Sequence, residues 1–390
     1  MKIAIVHDYF TQLGGAEKVA EEIFQIFPHA SLFSTVAFQE QMPARLRKVP
    51  ISTSWMQHAP GIRRYYRLYF LLYPFAVSSL NLSNYDLVIS SSSGYVKGVS
   101  ASRDAMHVCY CHTPMRWVWN FDGYSEREAM SPAMRTALEG TTSLLRQWDV
   151  GASRQPDHFI ANSKVVAERI QKAYGRTAEV IHPPIDVDRF HVSEETDNYY
   201  LVLSRLVSYK RLDLAIEACT RLKRNLIVVG TGPQRRTLQS KAGPTVEFAG
   251  RLPDTQVVRL AAHCRALLFP GEEDFGMAPL EIAAAGRPTI AFKAGGATET
   301  IDDGATGLFF EEQTVESLMG AIERFERISW SSSEIRRRAE DFSVPVFRSR
   351  LIRFLERIGA PVQEIDMLPA QENAPVLCGI DSALGRTVAT

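Results

Sequence analysis

The chain alternates short apolar runs with longer segments whose apolar residues recur every three or four positions. The first run, residues 2–7, leads into the pair Gly14-Gly15 and then into Ala16, Val19, Ala20, Ile23, Phe24 and Phe27 at helical spacing. That order predicts a strand, a glycine turn and a helix. Residues 86–90, 107–111 and 158–161 read as further buried strands, with helical patterns over 132–150 and 164–174. The alternation begins afresh after His182-Pro183-Pro184, where runs at 200–203, 225–229, 246–249, 266–269 and 288–292 each lead into a helical pattern. Strands alternating with helices build parallel sheets covered on both faces. Two such series predict an α/β protein of two doubly wound, Rossmann-like domains, residues 1–182 and 183–343, facing a central cleft. Ligands of such sheets sit beyond the carboxyl ends of the strands. Residues 344–358 form a last amphipathic helix able to cross back to the first domain, with Val344, Phe347, Leu351, Phe354, Leu355 and Ile358 on its apolar side. The stretch 359–390 carries Pro361, Pro369 and Pro375 without a period and is expected to be disordered.

Composition narrows the class. A chain of 390 residues has room for two full domains, and 45% hydrophobic with 23% charged residues is ordinary for a globular protein. Lys+Arg and Asp+Glu both number 44, which argues against a nucleic-acid partner held by bulk positive charge. The five cysteines show no C-x-x-C spacing, so they are read as reduced thiols of a cytoplasmic protein. Met1 runs directly into the first strand, and the longest apolar run, 68–77, is about half a membrane span and contains Pro74. Neither an export signal nor a spanning helix is expected.

Neutrality hides one local asymmetry. From Gln41 to Tyr85 there is no acid, while Arg45, Arg47, Lys48, Arg63, Arg64 and Arg67 supply six positive charges. Trp55, Tyr65, Tyr66, Tyr69, Phe70, Leu71, Leu72 and Tyr73 lie among them, the mixture an interfacial helix uses on a membrane surface. A core-packed helix with arginines facing water fits the same pattern.

The densest chemistry lies in the second half. Phe269-Pro-Gly-Glu-Glu-Asp-Phe-Gly-Met-Ala-Pro-Leu-Glu281 sets acids after a strand, then Phe275, Gly276, Met277 and Ala278 at the start of a helix. Pro279 is expected at its first position and Gly286 just past its end. The free amides and dipole of that helix start suit phosphate. Glu273 and Glu281 bracket it, and carboxylates beside a phosphate fit sugar or ribose hydroxyls; a solvated loop acid and a surface helix position are the bland reading. Ser204-Arg-Leu-Val-Ser-Tyr-Lys-Arg211 follows another strand, placing Arg205 and Lys210 where the cleft should be. Two cations there can neutralise a diphosphate and the charge that builds on it as it leaves. Gly230-Thr231-Gly232-Pro233 is a glycine turn without the third glycine of a dinucleotide fingerprint, and no G-x-G-x-x-G follows the first strand, which disfavours a nicotinamide oxidoreductase.

These elements in this order resemble the retaining glycosyltransferases of family 4, of GT-B architecture, over roughly residues 2–358. The most specific parts are S-R-L-x-x-Y-K-R at 204–211, E-x7-E at 273–281 and G-R-L at 250–252. The look-alikes are bacterial exopolysaccharide and O-antigen enzymes, many of them mannosyltransferases using GDP-mannose. The resemblance implies that Arg205 and Lys210 hold the diphosphate, Glu281 the ribose hydroxyls and Glu273 the transferred sugar. It places the 276–278 amides near phosphates and sugar, with Phe275 in the same donor-binding element. Backbone at Arg251 and Leu252 would meet the base, and Gly14-Gly15 the donor phosphates. His112, in Cys111-His112-Thr113-Pro114, would reach the donor sugar, although a histidine after an apolar strand also fits a core position. His7-Asp8 ends the first strand in the cleft without an assigned contact.

A retaining transfer passes through an oxocarbenium-like state. With a diphosphate as leaving group, Arg205, Lys210 and the helix start can stabilise departing charge without a metal. No enzymic nucleophile stands out, so a front-face displacement is expected, with His112, Arg205, Lys210 and Glu273 as the catalytic set. No metal or cofactor is expected, the donor being a substrate. Asp186-Val187-Asp188 matches a metal-binding D-x-D formally, but its place at the domain junction argues for a structural loop. The expected partners are GDP-mannose, a polyprenyl-diphosphate-linked oligosaccharide and the cytoplasmic face of the inner membrane, through Arg63, Arg64 and Arg67. A UDP-sugar donor, a GT-B epimerase or hydrolase, and a nucleotide-sugar-binding scaffold are the rival readings.

Overall fold

The computed structural model describes residues 1–119 and 132–360; of the expected tail 359–390, Gly359 and Ala360 are described, with Ala360 buried in the first domain's core, and 361 onward lies outside the described residues. Strands β1 (Ile3–Phe10), β2 (Ser31–Ala37), β3 (Ile51–Thr53), β4 (Leu87–Ser92), β5 (Met106–Cys111), β6 (His158–Ala161) and β7 (Glu179–Val180) form one parallel sheet, ordered β3-β2-β1-β4-β5-β6-β7. Strands β8 (Tyr200–Leu203), β9 (Leu226–Val229), β10 (Val246–Gly250), β11 (Leu267–Phe269), β12 (Thr289–Phe292) and β13 (Gly307–Phe310) form a second, ordered β10-β9-β8-β11-β12-β13. Each order reverses direction once, between β1 and β4 and between β8 and β11. Loops leaving the two strands at a reversal go to opposite faces, which opens a crevice at their carboxyl ends. The loops after β1, β8 and β11 carry the glycine pair, the two cations and the acidic stretch.

Continuous apolar runs became strands because both faces of a parallel sheet are covered. β2, β3, β7 and β13 were not anticipated. In β2, Ser34 and Thr35 are fully buried, and their hydroxyls donate to the Asp8 carbonyl. A satisfied hydroxyl is tolerated in a core, so the run reads more polar than its environment.

The helix Lys164–Tyr174 starts at Ser163, whose Oγ accepts from the Val166 amide at 3.2 Å, and stops at Gly175. The helix Val344–Arg357 returns from the second domain to the first. Phe347, Leu351, Phe354 and Leu355 join the core beneath the helix Gly15–Ile26, and Arg348 Nη2 lies 2.7 Å from Glu22 Oε2. The chain crosses between domains twice in one place, where the Ile185 amide donates to the Phe342 carbonyl at 2.8 Å.

The basic, aromatic stretch is not one interfacial helix. It folds as two short helices, Ile62–Tyr65 and Tyr73–Ser78, joined by turns. Ile62 and Tyr73 are buried in the first domain's core, with Tyr66, Tyr69 and Phe70 packed against it, so aromatic residues occupy too many directions for a single stripe. Leu68 (69% exposed), Leu71, Leu72 and Phe75 (66% exposed) remain on the surface. Arg63 pairs with Glu40, and Arg64 and Arg67 lie over the rings of Tyr65 and Tyr66. Among the described residues no helix is long and apolar enough to cross a membrane.

Candidate active site

The loop after β11 and the loop after β8 meet. Lys210 Nζ forms an ion pair with Glu273, and a Cβ added to Gly271 would stand 2.8 Å from the Lys210 Cα. The helix Met277–Ala284 opens on Gly276, whose φ of 81° is one that L side chains avoid and whose missing Cβ would stand 3.0 Å from the Phe269 ring. The helix starts two residues earlier than expected, so Pro279 is its third residue; it still removes no internal bond, because the first four amides have no helical acceptor. Gly286 follows the end with φ 72°. Phe275 differs from its expected donor-side placement: its ring is 3% exposed and stacks on His182 at 5.3 Å, which anchors the loop to the interdomain hinge and leaves only its backbone for a ligand.

Burial first, then the guanidiniums of Arg205 and Arg116, push the Lys210 ammonium down to about 7, against the pull of Asp274.

The first domain reaches into the same place. Arg205 Nη1 donates to Gln12 Oε1 at 3.2 Å, and Lys18 Nζ lies 3.1 Å from Glu281 Oε1. Gly15 faces Met277 so closely that a Cβ would stand 2.7 Å from Sδ. The starts of helices Gly15–Ile26 and Met277–Ala284 thus adjoin across the cleft, with Gly14 as the cap of the first. Ala278 is half-buried on the first turn of the second helix. Asp274 takes ion pairs from two arginines of the first domain, Arg116 and Arg169, and Arg169 Nη2 also lies 3.3 Å from Glu272. Arg116 sits over the Tyr209 ring at 5.6 Å. Further along, Glu299 accepts from the Lys164 amide at 2.9 Å and pairs with His182 at 3.0 Å.

His112 follows β5 and is 7% exposed. Its Nε2 lies 2.8 Å from Ser91 Oγ. Burial, then the neighbouring His7, push its imidazole down to about 3, so the ring is neutral at physiological pH. Asp8, by contrast, is occupied structurally: its carboxylate accepts the amides of Tyr95 and Val96 at 2.7 and 2.8 Å.

Arg251 is exposed and Leu252 half-buried on the turn after β10. A cavity of about 490 Å³ runs beneath the helix Asp254–His263 from Leu252 and Gln256 to Asp197 and His263, and it meets the donor-side residues only at Leu252. Asp186 and Asp188 lie around the turn Val187–Arg189, whose Arg189 pairs with Asp254 at 3.1 Å. Among the described residues no group of three His, Cys, Asp or Glu side chains is arranged to hold a metal ion. Gln12, Lys18, Arg116, Arg169 and Asp274 had no signal of their own in the sequence, because each acquires its partner only when the domains meet.

The model of Glycosyltransferase Family 4 matches residues 13–189, and that of Glycosyl transferases group 1 matches residues 185–342. Human alpha-1,3/1,6-mannosyltransferase ALG2 is 26% identical over 356 residues, covering 80% of this chain and 82% of that protein. The GDP-mannose-dependent alpha-(1-6)-phosphatidylinositol monomannoside mannosyltransferase of Mycolicibacterium smegmatis is 28% identical, covering 53% of this chain and 60% of that protein. Among solved structures, Anabaena Alr3699/HepE in complex with UDP-glucose superposes with a TM-score of 0.68 at 19% identity, covering 92% of this chain and all of that one. Sucrose-phosphate synthase from Thermosynechococcus elongatus superposes with a TM-score of 0.67 at 14% identity, again over 92% of this chain.

Proposed function

The chain belongs to the family 4 glycosyltransferases of GT-B fold, and from that premise we propose that it is a retaining, metal-independent hexosyltransferase moving mannose from GDP-mannose to a lipid-linked oligosaccharide in bacterial surface-polysaccharide synthesis. The observation that carries this reading is the meeting of Arg205, Lys210, Glu273 and the Gly276 helix start with the Gly14-Gly15 helix start across the cleft. The mannosyltransferase relatives support the choice of sugar and base. The neighbour bound to UDP-glucose makes a UDP-sugar the second candidate.

In the proposed reaction Arg205 and Lys210 hold the diphosphate and stabilise it as the anomeric bond breaks. Each such donor is worth on the order of a hundredfold or more in rate. Met277 and Ala278 amides add the positive end of the helix. Glu281 takes the ribose hydroxyls, for which Lys18 holds its carboxylate in place. Glu273 takes sugar hydroxyls while its charge steadies Lys210. His112, neutral, approaches the sugar from the first domain. The acceptor oxygen arrives on the face the diphosphate leaves, and a phosphate oxygen takes its proton. The basic and apolar surface around Arg63, Arg64, Arg67, Leu68 and Phe75 docks the first domain on the cytoplasmic membrane face, near its lipid-linked acceptor.

A thermal-shift panel of nucleotide sugars tests the donor. GDP-mannose should raise the melting temperature most, without added divalent metal and in the presence of chelator. Stabilisation by a UDP-sugar with none by GDP-mannose would overturn the donor assignment. Activity lost in chelator and restored by manganese or magnesium would overturn the metal-free one.

A further inference from the structure

Beneath the glycine loop of the first domain runs a line of buried polar groups that the mechanism above leaves unused. Glu17, His7 and Ser91 expose 2%, 2% and 0% of their surface. His112 Nε2 lies 2.8 Å from Ser91 Oγ, the same oxygen lies 3.0 Å from His7 Nδ1, and His7 Nε2 stands 4.0 Å from Glu17 Oε1. The sheet fixes the middle of this line, since His7 and Ser91 are register partners on β1 and β4. Glu17 Oε2 is buried without a hydrogen-bond partner, and a Cβ on Gly14 would stand 2.9 Å from it. Burying a carboxylate with one oxygen unsatisfied is costly. A third-residue acid favours the start of its own helix, but an exposed one would do so at lower cost.

We infer that Glu17, acting through His7 and Ser91, fixes His112 as the Nε2–H tautomer, so that its Nδ1 offers a lone pair to a hydroxyl of the donor sugar. This rests on the reading that His112 faces that sugar. A carboxylate beside His7 Nε2 favours the proton on that nitrogen, as carboxylates placed behind other functional histidines do. His7 Nδ1 is then an acceptor and takes the Ser91 hydroxyl proton. The Ser91 oxygen in turn accepts from His112 Nε2–H. The reverse orientation turns the bare lone pair of His7 Nε2 toward an anion in a buried setting, where the repulsion is poorly screened. The neutrality of His112 is consistent with a ring that accepts at one nitrogen and donates at the other. Glu17 and His7 are positioning residues in this scheme. The consequence is specificity: an accepting nitrogen binds a sugar hydroxyl and rejects a hydrogen or fluorine in its place.

The test uses the full-length protein labelled with [15N]histidine, the His112 signals being those lost in His112→Gln. In the wild type, the nitrogen shifts should show a protonated Nε2 and a bare Nδ1. In Glu17→Gln the proton should move in part to Nδ1, bringing the two shifts together. With it kcat/KM should fall roughly ten- to hundredfold, while the affinity for nucleoside diphosphate stays unchanged. Glu17→Asp should recover part of the loss. Should Glu17→Gln fail to fold, Ser91→Ala cuts the same line at its middle and is read the same way. A wild-type His112 protonated on Nδ1, or shifts that stay put in the variants, overturns the inference while leaving the sugar contact of His112 intact. Unchanged kcat/KM in His112→Gln overturns that contact and the inference together.

Discussion

Lys210 is surrounded by charge of both signs: Glu273 in direct ion pair, Asp274 beyond it, and the guanidiniums of Arg205 and Arg116 on its other sides. Burial and the two cations outweigh the carboxylates, and its pKa falls from 10.5 to about 7. A bound diphosphate adds negative charge beside the ammonium and moves the value back up. The ammonium of the empty site therefore gives up its proton at lower pH than that of the loaded site, so over the range between the two binding takes up a proton and affinity declines as pH rises. The decline approaches about tenfold per pH unit until the bound-state pKa is reached. Calorimetric titration with the nucleotide sugar that stabilises the protein most, at pH 8 in buffers of different ionisation enthalpy, should show net proton uptake. Lys210→Arg should abolish the uptake and flatten the pH dependence, since a guanidinium stays charged throughout. No uptake in the wild type would mean that Lys210 remains charged in the empty site.

At the scale of elements, the legible parts were those whose burial matches their composition. Leu226–Val229 and Tyr200–Leu203 are wholly apolar central strands and read as such, and the Ser163 and Gly175 caps bound a helix whose apolar period is plain. Ser31–Ala37 was missed because its interior hydroxyls find backbone acceptors. Residues 62–78 show the opposite error. Their arginine and aromatic mixture suggested one helix, yet Gly61 takes φ 61° at the first helix start, and Tyr69 Oη donates to the Pro60 carbonyl at 2.8 Å, folding the segment back on itself. What survives is a surface and not a helix: Leu68, Leu71, Leu72 and Phe75 exposed beside Arg63, Arg64 and Arg67. Such a surface binds anionic lipid weakly and salt-sensitively, at about 1 kcal/mol per basic residue. Changing all three arginines to Glu should therefore reduce flotation with anionic liposomes at least about a hundredfold in partition constant. Phe75→Ser should weaken it without altering its salt dependence. Equal flotation of wild type and triple variant would end the docking assignment.

At the scale of the whole molecule, function depends on contacts that no single segment encodes. The cations and acids of the second domain were legible because they lie within a few residues of strand ends, where an open α/β sheet places its ligands. Their counterparts in the first domain were not, because Gln12, Lys18, Arg116 and Arg169 gain meaning only once two separately folded sheets dock. Asp274 is the centre of that docking. It neighbours Glu273 in the chain, takes two guanidiniums from the other domain, and one of these, Arg116, also covers Tyr209 beside Lys210. The contact between the domains and the placement of the loop that carries Glu273 therefore share Asp274. Asp274→Asn removes the charge that joins Arg116 and Arg169 to this loop and leaves Arg169 only its contact with Glu272, so the docked arrangement should lose population. Donor affinity should fall less than kcat, because Arg205, Lys210 and Glu281 belong to the second domain and lose only the braces of Gln12 and Lys18, whereas kcat should fall on the order of a hundredfold as Glu273 and His112 lose register. Small-angle scattering of the donor-bound variant should show a larger radius of gyration than the donor-bound wild type. A variant that folds with unchanged melting temperature, scattering and kcat would show that the domains close without this bridge, and the burden of alignment would then fall on Glu299, which ties the helix start at Lys164 to the hinge residue His182.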